Sequence, residues 1–459
     1  KRVVALPGED LRIFQGDLFT RPACEPDFEF QIARKPPEQV LAMRQRVHDT
    51  HHEPRSLADA GWPLAWSGED WVVQRREATV NGAEVVQPAY QIDDRQTEAR
   101  DSKATRWLRY RHTSPSEAVW RAVLGEGDPP TDGFDPSPSL ITDFTPYNTR
   151  LNLSQVAQQG ELTLRPRRRR PDDLGRIGVH WVGDLIVEAD VVIDSAGGEV
   201  SLELVEAGDH YGVTIDVATG DATFWRQAFE SAERETLAEA STPVRGQRSH
   251  RLQLANVDSR LLLWIDGDLI EADASYTTEL ADAEGPAEQP RSSDADAGDL
   301  APAGLGVAGA AVRVERLRLW RDGYYLATRW DEPNLGVTTD LPPTSFEALD
   351  RANWDGSLAS VATDPRLWYA LGNRRSADFS VGEDQLFVLG DNSGWSLDAR
   401  LWAGGNQRDA GRPGGPYLER SQLVGKAVCV YWPHAWYSLP FTNRMIPAWP
   451  NFGDMRLVR

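Results

Sequence analysis

The run Gly390-Asp391-Asn392-Ser393-Gly394-Trp395-Ser396-Leu397-Asp398-Ala399-Arg400-Leu401-Trp402 carries a hydroxyl, a carboxylate and a guanidinium at alternate positions. In an extended segment, residues i, i+2 and i+4 share a face. Ser396, Asp398, Arg400 and Trp402 would then point one way, and Leu397, Ala399 and Leu401 the other, into a core. A polar triad on one face can hold an amine by hydrogen bonds. Gly390 and Gly394 suit a tight reversal after the apolar residues 386–389. Asp391 and Asn392 are expected to bond backbone groups of that turn. An amine also opens the chain, in Lys1-Arg2-Val3-Val4-Ala5-Leu6-Pro7-Gly8-Glu9. Taken alone, a strand lysine is a solvated side chain. A free lysine has a pKa of about 10.4, so it accepts a proton at neutral pH only where its charged form is disfavoured. Val3, Val4 and Leu6 supply an apolar setting of that kind.

Other constellations read more plainly. His48-Asp49-Thr50-His51-His52 has the look of a metal cluster, but it follows a predicted helix and runs into Glu53-Pro54, so a loop of exposed histidines is favoured. Asp258, Asp266 and Asp268 could suggest calcium, yet each is placed as an ordinary turn residue. Trp71, Trp181, Trp225 and Trp264 could stack on sugars, but strand-core tryptophan is the commoner use. The basic run 165–170 lies among Pro166, Pro171, Asp172 and Asp173 and reads as a solvated connector. Of 459 residues, 49 are Lys or Arg and 70 are Asp or Glu, for a formal charge of −21. That balance argues against nucleic acid or an anionic lipid surface as the main partner. Cys24 and Cys429 neither demand nor exclude a bridge, and Cys429, in the apolar run 427–430, reads as a buried strand residue.

The elements that must position these residues are mainly β. Residues 1–19 read as a hairpin unit with turns at Pro7-Gly8-Glu9-Asp10 and Gln15-Gly16-Asp17. A strand at 28–33 and a helix at 37–47 follow, with strand-like pieces at 71–74 and 107–112. Between 160 and 325, strands recur at 183–193, 200–206, 212–217, 250–254, 260–265 and 312–320, and Asp266-Gly267 is a two-residue hairpin signal. Many short strands spaced by turns predict a β-sandwich. Residues 271–304, rich in Ala, Asp, Glu, Ser and Pro, predict a disordered loop. Strands return at 385–389 and 423–432. No run of roughly 18 apolar residues, enough to span a membrane, is present.

The two blocks together resemble the bacterial type I signal peptidases, a Ser-Lys protease family. Its lysine block reads K-R-V-x-G-x-P-G and its later block G-D-N-x-x-x-S-x-D-x-R; the run 423–428 and Tyr431-Trp432-Pro433 resemble its closing strand. The resemblance covers about the first 20 residues and about 75 near the end. It implies that Lys1 is the general base, that Ser396 and Asp398 orient it, and that Arg400 pairs with Asp398. Gly390, Asp391 and Asn392 become the structural turn. Ala5 stands where the family commonly has glycine, Ser393 where it often has arginine, and Trp395 where it is often polar. The family's nucleophilic serine lies upstream of the lysine in S-x-M-x-P or S-M-x-P; Met43, Met445 and Met455 sit in no such motif. The chain, opening at the lysine without an initiator Met, reads as a cut through a longer protein that carries the serine and membrane helices before Lys1. Alone it is expected not to cleave peptides.

The resemblance implies secretory preproteins as partners, a cell-membrane location with the catalytic domain on the outer (periplasmic) face, and no cofactor. No metal is assigned. The fold expected is a signal-peptidase-type β domain, residues 1–27 and 326–459, split by an insertion. Residues 28–154 read as a mixed extension. Residues 155–325 resemble, weakly, the laminin-G and concanavalin-like jelly rolls, on Trp264-Ile265-Asp266-Gly267 and its neighbours. A second reading is a carbohydrate- or protein-binding jelly roll on a degenerate, non-catalytic peptidase scaffold. Self-cleaving repressors, another Ser-Lys group, are disfavoured by the acidic charge and the lack of a DNA-binding element.

Overall fold

A computed structural model describes residues 2–80, 82–95, 104–115, 117–125, 136–143, 180–277, 288–329, 339–352, 354, 358–391, 393, 396, 398–402, 417–430, 436–438, 445–449 and 455–457. The chain is mainly β and its pairings are antiparallel. Two large sheets face each other. One has seven strands, in the order Arg234–Ser241, Asp221–Gln227, Asp209–Asp216, Glu199–Glu206, Ala303–Ala308, Arg106–Tyr110 and Trp66–Ser67. The other has ten, built around Leu185–Ile193, which lies between Ser249–Asn256 and Ala311–Arg321. The alternation seen in the sequence explains the pairing. Val200, Leu202 and Leu204 point inward to meet Val187, Val191 and Leu254, all at 1% exposure or less. Burial of such a layer is the main stabilising term, at roughly 25 cal/mol per Å² of apolar surface.

Strands from the mixed extension take part in this sandwich. Ala83–Asp93 pairs with Ala311–Arg321, and Arg106–Tyr110 pairs with Ala303–Ala308. The hairpin at Asp266-Gly267 forms with both residues at positive φ, as a two-residue turn requires. Residues 288–304 depart from the expected disorder. Asp299 is 2% exposed, and its carboxylate accepts the N–H groups of Gly208 and Arg291 at 2.8 Å each. Buried hydrogen bonds there do what apolar side chains could not. Trp71, Trp181, Trp225 and Trp264 are all buried, at 7% exposure or less, as core tryptophans.

The chain's two ends build a separate pair of sheets. Arg2–Ala5 pairs with Gln385–Leu389, placing Val3 opposite Val388. Glu9–Phe14 pairs on one side with Asp17–Pro22 and on the other with Ser376–Ser380. Ala5, Leu11, Ile13, Phe379, Phe387 and Leu389 share a second core, with Phe379 and Phe387 rings 4.5 Å apart. Arg2–Ala5 therefore pairs with a distant strand rather than folding back on its own hairpin.

Three local expectations are corrected. The helix ends at Met43, and Gln45–Asp49 is a strand on Ala311–Arg321. His48 and His51 are half-buried: His48 meets Glu53 at 2.7 Å, and His51 Nε2 lies 3.1 Å from the Glu315 carbonyl. These two histidines thus act in packing and hydrogen bonds. Among the described residues of the region read as a closing strand, Cys429–Val430 alone forms a strand; Cys429 is exposed and Val428 is 72% exposed. An apolar composition alone does not place a run in a core. Cys24 is likewise an exposed free thiol. Tyr431-Trp432-Pro433 lies outside the described residues.

The end-built sheets meet the sandwich at Gly16. Its φ is +98°, and a Cβ there would lie 2.4 Å from Tyr324 Cδ2. The neighbouring Tyr325 N–H donates to the Gly16 carbonyl at 3.0 Å. Gly16→Ala combines a disfavoured backbone region with a clash against a buried ring, and is expected to cost about 2 kcal/mol or more. Denaturant unfolding of the chain measures it.

Candidate functional site

The apolar strand Gln385–Leu389 delivers the chain into Gly390, and a short helix, Ala399–Trp402, follows. The expected extended face of Ser396, Asp398, Arg400 and Trp402 is therefore not formed. Arg400 and Trp402 sit on a helical turn, and Arg400 points inward, at 1% exposure. The reason is electrostatic. A buried guanidinium costs several kcal/mol unless every donor is matched, and a helical turn lets Arg400 reach back to Asp398 and Ser393.

All five Arg400 donors are used. Nε and one Nη2 hydrogen go to the Asp398 carboxylate, each at 2.8 Å. The other Nη2 hydrogen goes to the Ser393 carbonyl at 3.0 Å. Nη1 donates to Ser393 Oγ at 2.7 Å and to the Leu326 carbonyl at 2.8 Å. A guanidinium has five N–H groups in a rigid fork. Asp398, fully buried, also accepts the Gly390 N–H at 3.1 Å, and Ser393 Oγ accepts the Leu326 N–H at 2.8 Å. The block is thus closed on itself and sewn to residue 326.

Asp391 departs from its expected role as a turn-internal acceptor. Its carboxylate takes Arg2 Nε at 2.7 Å and Nη2 at 3.1 Å, bridging the two ends of the chain. The pair is exposed, at 31% and 53%, and such pairs contribute about 0–1 kcal/mol. Ser396 is half-buried. Lys1 and Asn392 lie outside the described residues. Arg2 faces Leu389 in register, so the lysine block and the later block run side by side. Sequence reasoning paired Asp398 with Arg400 and missed Ser393 and Leu326. Ser393 stands where the family often has arginine, and a small hydroxyl is what a buried guanidinium can use. Leu326 contributes backbone atoms, for which residue type gives no signal.

Residues 305–432 match the family described as signal peptidase, peptidase S26. The signal-peptidase match takes in Leu326, Gly390, Asp391, Asn392, Ser393, Ser396, Asp398 and Arg400, and it leaves out the block at Lys1. No curated protein matches the chain. Among solved structures, the laminarinase from Rhodothermus marinus covers 61% of this chain and 98% of its own, at 10% identity and a TM-score of 0.28. The carbohydrate-binding module CBM66 from Bacillus subtilis covers 55% and 96%, at 11% identity and a TM-score of 0.25. The galectin LEC-6 of Caenorhabditis elegans covers 30% and 83%, at 8% identity and a TM-score of 0.21.

A second polar cluster lies on the seven-stranded sheet. Glu203, 2% exposed, meets Arg109 and accepts from His210 Nδ1 at 2.9 Å, while His210 Nε2 meets Asp296 at 2.8 Å. Burial pushes the Glu203 pKa up, but Arg109 and His210 outweigh it and hold it at about 2. Burial lowers the His210 pKa, but Glu203 and Asp296 outweigh it and raise it. The indoles nearby are occupied: Trp225 is 2% exposed, with Arg234 stacked 3.9 Å from its centroid, and Arg109 lies 4.2 Å from that of Trp107.

Two outcomes test these networks. Arg400→Ala leaves Asp398 buried without its partner, and is expected to cost about 3–5 kcal/mol in denaturant unfolding. For the second cluster, the His210 contribution is complete below 6.5 and is lost as pH rises through the raised folded value. The Glu203 contribution is complete above 4.5 and is lost as pH falls toward 2. Between pH 6 and 9, His210→Gln is expected to flatten the fall of the thermal midpoint relative to the parent chain. Parallel curves would sink the assignment.

Proposed function

We propose that this chain is the outward-facing part of a signal peptidase that cleaves secretory preproteins with a serine nucleophile and Lys1 as general base. The observation that carries the reading is the signal-peptidase match over residues 305–432, which contains the fully bonded Arg400–Asp398 pair. The side-by-side run of Arg2–Ala5 and Gln385–Leu389 supports it, because it brings the lysine block beside the later one. Under this reading the serine precedes Lys1 in the full-length protein, together with a membrane anchor. Among the described residues no helix is long and apolar enough to cross a membrane.

In the proposed reaction the serine oxygen attacks the scissile carbonyl carbon, and neutral Lys1 takes the hydroxyl proton. The carbon–nitrogen bond then breaks, and Lys1 gives that proton to the leaving amine. An acyl-enzyme remains. Water, deprotonated by Lys1, attacks it and releases the serine. Ser396 and Asp398 orient the amine, and Arg400 fixes Asp398. The strands beside Lys1 and Ser396 line a shallow apolar surface for small residues at the first and third positions before the cut.

The experiment is preprotein cleavage by the full-length protein and its Lys1→Ala variant. Loss of the general base is expected to slow cleavage by at least about 10²-fold. Cleavage by the variant at the parent rate overturns the assignment.

A further inference from the structure

Charged side chains in the interior meet partners of opposite sign. Arg400 uses every donor. Where the hairpin Glu9–Phe14/Asp17–Pro22 meets the sandwich, Lys35 draws together Asp17, Asp184, Asp258 and Asp322, with Nζ 2.9 Å from Asp322. One edge of the sandwich differs. There a cleft of about 570 Å³ takes its walls from both sheets. Trp66–Ser67, the end strand of the seven-stranded sheet, forms one wall; Val72–Val80, paired with Ala83–Asp93 of the ten-stranded sheet, forms another. Arg111 and Thr113, just beyond Arg106–Tyr110, complete it with Pro136 and Pro138. Ligand pockets commonly enclose roughly 300–1,000 Å³.

The polar groups on these walls are unmatched. The side chains of Ser67, Arg75, Arg111 and Thr113 line the cleft, and none of them has a hydrogen-bond or ion-pair partner among the described residues. Among the described residues no acidic side chain lines it either. Glu77, two residues from Arg75 on the same strand face, is held by Arg55 at 3.0 Å, and Asp70 lies 3.6 Å from Arg106. A guanidinium has donors and no acceptor. In a chain of 70 acidic and 49 basic residues, internal carboxylates are plentiful, yet two guanidiniums of one cleft lack one. They are matched by carboxylates that arrive from outside.

The remaining wall selects what carries those carboxylates. Pro63, Leu64, Val73, Pro136 and Pro138 are apolar, and Val73 is still 39% exposed. Such a wall suits aliphatic side chains set between acids. Trp66 also lines the cleft, but at 1% exposure it offers no open ring face on which a sugar could stack. We propose that this cleft binds an acidic peptide segment of a partner chain, with its carboxylates on Arg75 and Arg111 and its aliphatic side chains on the proline wall. The cleft shares no residue with the 390–402 block, so the proposal does not rest on the peptidase reading.

Fluorescence anisotropy with the whole chain tests this. A fluorescein-labelled peptide of alternating glutamate and leucine is expected to bind saturably, one per chain, and more weakly as salt rises. The matching peptide of glutamine and leucine is expected not to bind. Arg75→Gln and Arg111→Gln are each expected to weaken binding about threefold or more, and both together about tenfold or more. Both side chains are exposed, so the variants are expected to keep the parent's thermal midpoint. Polygalacturonate, whose carboxylates sit on sugar rings, is expected not to displace the peptide. The proposal is overturned if the parent chain shows no saturable binding of the glutamate peptide, or if the glutamine peptide binds equally well. It is equally overturned if the folded double variant binds as the parent does, or if polygalacturonate displaces the peptide at equal carboxylate concentration, which would assign the cleft to an acidic glycan.

Discussion

The pairing of Val3 with Val388 is the constraint on which the rest of the molecule depends. A strand at one end of the chain and a strand near the other must lie about 5 Å apart. Everything between them must therefore leave and return at nearly the same place. The sandwich meets that demand because an early strand, Gln45–Asp49, pairs with its last long strand, Ala311–Arg321. A large antiparallel sandwich can in this way stand inside another fold without breaking the host's hydrogen-bond ladder.

The host is held by polar groups as much as by its core. Arg400 spends all five donors within the 393–398 run and on Leu326. It thereby joins the 390–402 block to the first residues after the sandwich. The acidic junction around Lys35 acts on the opposite side, through the hairpin. The two attachments differ in kind. One is a neutralised pair whose every atom is satisfied, and the other is a site with an excess of one sign of charge. The first resists change in its surroundings.

Legibility followed the range of the interactions involved. Asp266-Gly267 could be read because two positive φ values demand those residue types locally. The inward set Val200, Leu202 and Leu204 could be read because a half-buried strand alternates. At 396–402 the same alternation misled: one turn of helix also places Leu401 and Arg400 on different sides, and the buried guanidinium decided between the two forms. The run 427–430 looked like core only because its residues are apolar, and composition does not say whether a partner sheet exists. Asp17 and Asp258 read as turn residues and Asp184 as part of a strand, since only the folded chain brings one oxygen of each within 4.8 Å of the others. The Asp398–Arg400 pair was expected through the family resemblance, while its link to Leu326 depended on backbone atoms that carry no residue code.

The long return path of the chain also has a consequence in time. During synthesis Arg2–Ala5 emerges before its partner Gln385–Leu389, which follows only after more than 370 further residues. At about 5–20 residues per second, the unpaired strand waits for tens of seconds beside the ribosome. Its neighbour hairpin can close within microseconds, and the sandwich can complete itself as its last strand appears. The core built around that strand pair therefore assembles after the sandwich. In a protein whose proposed task is to release others for export, the proposed working block closes only once the whole sandwich has been translated.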